Sequence, residues 1–330
     1  MKIYSISFTY HGDTVNLILK KYLHTEAYGN TNGLKRNALE LAEWSKRAFA
    51  DGNAVIFIGA AGIAVRAIAP LVRSKDTDPA VIVIDDRGRH VIPILSGHIG
   101  GANELSEKIA CLLNAEPVIT TSTDINGVWA VDVWAKHHGY IIENIECVKN
   151  ISSALLRGES VGFVSDYGVK GTMPAGVVSG TDFENGISVS HNSRICPFSK
   201  TLHIMPKNLF IGVGSCKNAP ETALENLLNS TSFSKKAARA VCTIDIKRYE
   251  PSVIYLCRKL GCDLKLYSPY ELNTAEGNFA HSEFVKNVAG TDNVCERAAI
   301  LASKGRLLLH KTLGDKVTLA VAESRWTVEF

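Results

Sequence analysis

No run of apolar residues in this chain approaches the length of a membrane span, which excludes a helical membrane protein. Nor is there a block of five or more basic residues. With a formal net charge of only +3, the composition carries no nucleic-acid footprint, although it suits an anionic small molecule. The eight cysteines include no Cys-x-x-Cys pair, and the closest two, Cys257 and Cys262, sit where a helix is expected to end. A zinc site and a disulfide framework are therefore both poorly supported, and free thiols in a reducing cytoplasm are expected. The residues from Met1 to Ser7 read as a short strand rather than a secretory leader. Two nucleotide signatures, G-x-G-x-x-G and G-x-x-x-x-G-K-[ST], are also missing, as are internal repeats and low-complexity tracts.

What is present is an ordinary balance for a globular enzyme, with 46% hydrophobic and 21% charged residues. At 330 residues the chain should form two or three compact units. The expected class is α/β, with a layered N-terminal α/β domain over residues 1–113. An irregular middle segment follows over 114–207, and a separate C-terminal α/β or α+β domain over 208–330. In the first part, Leu34, Ala38, Leu41, Ala42 and Phe49 share one face of a helix that stops near Asp51. Ala54 to Ile58 is a continuous apolar run of the kind buried inside a parallel sheet. Ala80–Ile84 and Arg89–Leu95 flank a hairpin turn, and Pro93 marks an edge or a bulge. Pro117 to Ile119 and Val161 to Ser165 read as strands, and Val131 to His138 as a helix. Gly168 to Asn192 reads as loops or short strands. The C-terminal part restarts the alternation with strands at Leu209–Val213 and Val241–Ile244, and helices at Glu221–Leu228 and Pro251–Leu260.

The most informative stretch runs from Ser96 to Glu104. It joins the strand ending at Leu95 to a helix expected over Ala102–Leu113, and it holds three glycines and one histidine. Gly97, Gly100 and Gly101 let backbone amides approach a ligand, and a helix start favours negative charge. His98 is a candidate acid or base, or else a histidine that satisfies a loop carbonyl. Asn103 and Glu104 could orient it, although a carboxylate at a helix start also has a purely structural use.

Three further clusters close strands. Gly59 and Gly62 bracket a turn whose amides could hold a carboxylate, with Arg66 one turn on; tight packing is the plainer explanation. Thr121, Asp124 and Asn126 lie in a polar stretch that could contact substrate or simply cap a helix. Gly212, Gly214 and Lys217 end one C-terminal strand, and Asp245 and Lys247 end another, with Glu250 beyond. Adjacent parallel strands would bring these two groups to one rim, to meet an anionic substrate or to form a surface ion-pair group.

Taken together, Gly59–Arg66, the Ile94–Asn103 run, Thr120–Gly127, Gly212–Gly214, Thr243–Lys247 and Ser282–Val285 resemble the cobalt-precorrin-5A hydrolases, the cobalamin biosynthesis protein G family. The resemblance spans nearly the whole chain in that family's three-part order, and the Ser-Gly-His-x-Gly-Gly-Ala-Asn run is its most specific element. One departure is visible: family members often place a cysteine directly after the Gly-x-Gly turn, where this chain has Ser215 before Cys216 and Lys217. The resemblance implies hydrolysis of the ring-A acetate δ-lactone of cobalt-precorrin-5A. The methylated C20 carbon then leaves as acetaldehyde, giving cobalt-precorrin-5B. It further implies that cobalt arrives within the corrinoid substrate, so that no cofactor and no protein metal site is expected. A membrane or nucleic-acid partner is not expected either, while transient contact with neighbouring pathway enzymes is compatible. The rival readings are a non-catalytic carrier of a cobalt-corrinoid intermediate, a nucleotide-dependent enzyme and a corrin-pathway methyltransferase.

Overall fold

Alternating apolar strands and amphipathic helices build three large sheets and one two-stranded ribbon in the computed structural model, which describes residues 2–35, 40–50, 52–74, 77–192 and 194–330. The described residues divide into two compact units, one reaching to Trp134 with Leu155–Arg157, the other comprising Ala135–Ala154 and Gly158–Phe330.

The first unit holds strands β1 (Ile3–Ser7), β2 (Glu26–Tyr28), β3 (Ala54–Ile58), β4 (Ala80–Ile84), β5 (His90–Leu95) and β6 (Glu116–Pro117). They form one sheet in the order β2-β1-β3-β4-β5-β6. Side chains along a strand alternate faces, so a strand apolar throughout needs a layer on both sides. The central strands β3 and β4 are wholly buried. On one face, Ile56, Ile58, Ile82 and Ile84 pack with Val15 and Leu19 of α1 (Tyr10–Leu23), and with Leu105 and Ile109 of α4 (Ala102–Leu113). On the other, Val55 and Phe57 meet Trp44 of α2 (Leu41–Ala48) and Ala64 and Ile68 of α3 (Ala61–Ile68).

Helix α2 begins only at Leu41, so Leu34 lies outside it in a loop; Ala38 and Asp51 fall outside the described residues. Strands β4 and β5 form the expected hairpin, and the register slips where Pro93 faces Ile82, next to Val81 facing Leu95. A proline has no N–H to give the ladder, so an irregularity is its natural place. Strand β6 is shorter than the sequence indicates. The residues after it turn into α5 (Ser122–Ile125), and α6 (Val131–His137) follows.

In the second unit, the loops and short strands of the middle region assemble into a sheet of their own. Its members are β7 (Tyr140–Ile142), β8 (Val161–Ser165), β10 (Val177–Ser179), β11 (Asn185–Val189) and β12 (Lys200–Pro206), with α7 (Val148–Leu156) between β7 and β8. Their order is β10-β8-β11-β12-β7. Strand β9 (Gly168–Lys170) stands apart and pairs with the last strand, β18 (Thr327–Glu329). Val161–Ser165 forms the strand its residues indicate, whereas the other members, three to seven residues long, carry too little periodicity to place in a sheet from sequence.

The third sheet runs β15-β14-β13-β17-β16, from β13 (Leu209–Ser215), β14 (Ala238–Ile244), β15 (Asp263–Tyr267), β16 (Arg306–Leu313) and β17 (Val317–Glu323). Helices α8 (Ala223–Asn229) and α9 (Pro251–Leu260) cover one face through Leu224, Leu227 and Leu256. The other face packs against α10 (Pro269–Asn273) and α12 (Cys295–Ser303) through Leu272 and Ala298, with α11 (Glu283–Ala289) between those two helices in sequence.

Candidate active site

Two loops leave the carboxyl ends of neighbouring parallel strands in the first unit. Strand β5 pairs in parallel with β6 at His90–Glu116 and Val91–Pro117, which brings the segment after Leu95 beside the segment after Pro117. That rim is where open α/β sheets gather ligands.

The first loop folds back tightly. Ser96 O accepts from the amide of Ala102 at 3.1 Å, Gly97 O from Asn103 at 3.1 Å, and His98 O from Gly101 at 2.9 Å. Ser96 itself holds a left-handed φ of 57°, unusual for a residue with a side chain, and its Oγ donates to Asp78 O at 2.9 Å. Gly101, at φ 82°, takes the same region immediately before α4, where glycine pays no steric penalty. Among the described residues, nothing accepts from the amides of Gly97, His98, Ile99 or Gly100.

This folding presents His98 to the second loop and to α6. Its Nδ1 lies 3.2 Å from Asp132 Oδ2, and its Nε2 lies 3.1 Å from Thr123 Oγ1 and 3.3 Å from Asp124 Oδ2. Asn103 Nδ2 donates to Asp124 Oδ2 at 2.6 Å and to Thr121 Oγ1 at 2.9 Å, tying the start of α4 to the same carboxylate. The ring is 16% exposed and Asp132 only 10%, whereas Asp124 is 37% exposed; the imidazole therefore sits between a buried anion and one that meets solvent.

The charges follow from that placement. The hydrogen bond to Asp132 raises the His98 pKa; burial opposes it, and the negative charges of Asp132 and Asp124 add to the rise. For Asp132, burial pushes upward, but the His98 hydrogen bond and charge, with the Val133 amide, carry the net shift downward. The arrangement favours the protonated imidazolium, held against a carboxylate.

Of the residues singled out from the sequence, His98, Asn103, Thr121 and Asp124 share this network. Glu104 was expected to orient His98. Its carboxylate instead pairs with Lys108 one turn along α4 at 2.6 Å, and the carboxylates on the ring are Asp132 and Asp124. Asn126 donates to Ser122 O at 2.7 Å within its own turn. Gly59 closes β3, and Gly62 and Arg66 lie exposed on α3. Asp132 and Thr123 were missed: an acid in the first turn of a helix and a threonine in a polar turn each have a sufficient local explanation. Only the fold shows that both face the histidine.

In the second unit, β13 and β14 are parallel neighbours, so Gly214, Lys217 and Lys247 do reach one rim and line one cavity. Lys247 Nζ is 2.9 Å from Glu250 Oε2. Asp245 begins a short turn after β14, with its Oδ1 buried and without a partner among the described residues. Gly212 is buried beneath α12, and a side chain there would collide with the Cys295 carbonyl, so this glycine serves packing. Among the described residues, no group of three or more His, Cys, Asp or Glu side chains is arranged to hold a metal ion, and no helix is long and apolar enough to cross a membrane.

Three family models cover the chain in order. Cobalamin synthesis G N-terminal matches residues 43–124, the cobalamin biosynthesis central region matches 129–206, and cobalamin synthesis G C-terminus matches 209–322. The chain belongs to the cobalamin biosynthesis protein G family. It is 34% identical over 297 residues to the cobalt-precorrin-5A hydrolase of Priestia megaterium, covering 83% of this chain and 79% of that protein. The cobalt-precorrin-5A hydrolase of Salmonella typhimurium is 34% identical over 301 residues, 85% of each chain. Among solved structures, a cobalamin biosynthesis protein G homologue from Sulfolobus solfataricus matches at 22% identity and a TM-score of 0.40, over 98% of this chain and 97% of that one. The His98 loop and Asp124 lie within the N-terminal family match, and Asp132 within the central one.

Proposed function

We propose that this chain is a cobalt-precorrin-5A hydrolase of cytoplasmic cobalamin biosynthesis, and that His98 moves the protons of its reaction. The observation that carries the reaction is the likeness to two named hydrolases along more than four fifths of the chain. The geometry around His98 supports the roles proposed for its neighbours. Cobalt enters as part of the macrocyclic substrate, and lactone opening consumes only water.

Opening a δ-lactone requires water to attack the carbonyl, an oxyanion to be held and the ring oxygen to leave as an alcohol. The amides from Gly97 to Gly100, without internal acceptors, suit the oxyanion. Asp124, partly open to solvent, suits the attacking water. His98, whose protonated form Asp132 and Asp124 favour, gives its Nε2 proton to the departing ring oxygen, which becomes a hydroxyl on the methylated C20 carbon. The now neutral His98 is then placed to take that proton back. The C20 oxygen becomes the carbonyl of acetaldehyde as the bond from C20 to the macrocycle breaks, and the macrocycle receives the electron pair. Asp132 holds Nδ1–H throughout and so fixes the ring and its tautomer.

Incubation of the purified chain with cobalt-precorrin-5A, with trapping of the aldehyde, tests this reading. Wild type should release one acetaldehyde per substrate and His98→Ala should release far less. Binding without acetaldehyde would instead identify a carrier, and full turnover by a folded His98→Ala protein would remove His98 from the reaction.

A further inference from the structure

The cavity at the carboxyl ends of β13 and β14 has a volume of about 520 Å³, within the range of roughly 300–1,000 Å³ typical of small-molecule sites. Its wall mixes two kinds of side chain that rarely share a surface without purpose. Ile246, Phe284, Val288 and Leu313 all line it, and each is between 64% and 73% exposed. Exposed apolar side chains are ordinary when scattered, but here four large ones converge on one depression.

Four lysines line the same cavity: Lys217, Lys247, Lys311 and Lys316. Lys247 is paired with Glu250, but among the described residues the ammonium groups of Lys217, Lys311 and Lys316 have no carboxylate partner. Ser215 adds an Oγ that is buried in the wall with no hydrogen-bond partner among the described residues. The four lysines come from four segments: the turns after β13 and β14, strand β16 and the turn before β17. Such a wall suits a ligand with an apolar body and several anionic groups.

We propose that this cavity is a binding site for a carboxylate-bearing tetrapyrrole macrocycle, gripping one apolar edge of the ring while Lys217, Lys311 and Lys316 meet its peripheral carboxylates. The choice of macrocycle rests on the hydrolase reading; the requirement for an apolar body with several carboxylates rests on the cavity alone. No bond is made or broken there, so its contribution is to capture and hold.

The test is a titration of the full-length chain with uroporphyrin, an octacarboxylate, followed by the porphyrin's absorbance and fluorescence. Wild type should bind, and binding should weaken with added salt because the pairs are exposed. The triple variant Lys217→Ala/Lys311→Ala/Lys316→Ala should lose about tenfold or more in affinity. The matching triple Lys→Arg variant should retain most of it, which separates lost charge from lost structure. Phe284→Ser should weaken binding without changing the salt dependence. His98→Ala should bind as wild type does.

Equal binding by wild type and the alanine triple, or loss of binding in His98→Ala, would overturn the proposal, as would failure of wild type to bind the porphyrin. A concentration-dependent dimer abolished by Phe284→Ser would assign the apolar rim to a second copy of the chain and overturn it too. Acetaldehyde release is read separately, so failure of this proposal and failure of the hydrolase reading are distinguishable.

Discussion

His98 and Asp132 stand 34 positions apart in the chain, yet their side chains meet at 3.2 Å, nitrogen to carboxylate oxygen. The carboxylate is nearly buried, so water screens the pair poorly and each partner holds the other in its charged form. The same contact orients the ring, leaving Nε2 to face Thr123 and Asp124. Position and protonation state of the proposed proton carrier are thus set first by Asp132, with Asp124 adding to the same effect.

Replacing that residue by its neutral isostere separates charge from shape. Asp132→Asn should lower kcat by about 10²–10⁴-fold while KM changes much less. The His98 pKa, followed by NMR of the imidazole protons, should drop back toward 6.5. An unchanged titration with unchanged turnover would show that Asp132 does not govern His98.

The pH dependence has a definite sign. His98 titrates above its usual 6.5 in the folded chain, so its contribution to stability is complete below 6.5 and is lost as pH rises through the folded value. Asp132 titrates below its usual 3.8, so its contribution is present above 3.8 and is lost as pH falls through the folded value. Urea midpoints measured across pH should decline on the alkaline side for wild type, with that decline removed in His98→Ala. The alkaline limb of kcat should also lie above pH 6.5.

Gly100 is required by contact rather than by its dihedral angles. A Cβ there would lie 2.3 Å from Ser96 Cβ and 2.7 Å from Ser96 O. Gly100→Ala must spread the loop that carries His98. We expect about 1–3 kcal/mol of lost stability in denaturant titrations. Turnover should fall by about 10²-fold, because a displacement near 1 Å at a reacting group is enough to do so.

Gly212→Ala tests the reassignment of that residue from ligand contact to packing. The added carbon would sit 1.8 Å from the Cys295 carbonyl oxygen and 2.8 Å from its carbon. Backbone cannot step aside as a flexible side chain can, so α12 must lift from the sheet. A fall in the unfolding midpoint and in the yield of folded protein is expected, at the upper end of the roughly 1–3 kcal/mol typical of overpacking. Wild-type stability would contradict the close contact.

Much of the secondary structure was legible in advance because it rests on local pattern. Ala54–Ile58 is a strand because five consecutive apolar residues suit a sheet covered on both faces, and Ala102–Leu113 is a helix because its apolar positions repeat at helical spacing. Pro251–Leu260 opens with proline and is followed by glycine, and the observed helix has those bounds. The helix near Leu34 was drawn too long, since apolar spacing alone does not mark where a helix begins. Of the middle sheet, the strand at Val161–Ser165 is legible, but the assembly is not, because its pairings join residues far apart in sequence.

The alternation of strands and helices in the first and last parts, the loop that carries His98 and the resemblance to a family are all properties of neighbouring residues, and so are legible along the chain. Which groups surround His98 depends on how distant segments pack. Glu104, only six positions from His98 in the chain, turns along its own helix to Lys108, while Asp124 and Asp132 arrive from beyond β6. Likewise, Lys311 and Lys316 join Lys217 and Lys247 only because β16 and β17 return to the sheet that holds β13 and β14. Strand order sets these meetings, and strand order is fixed by the burial of whole faces rather than by any short run of residues.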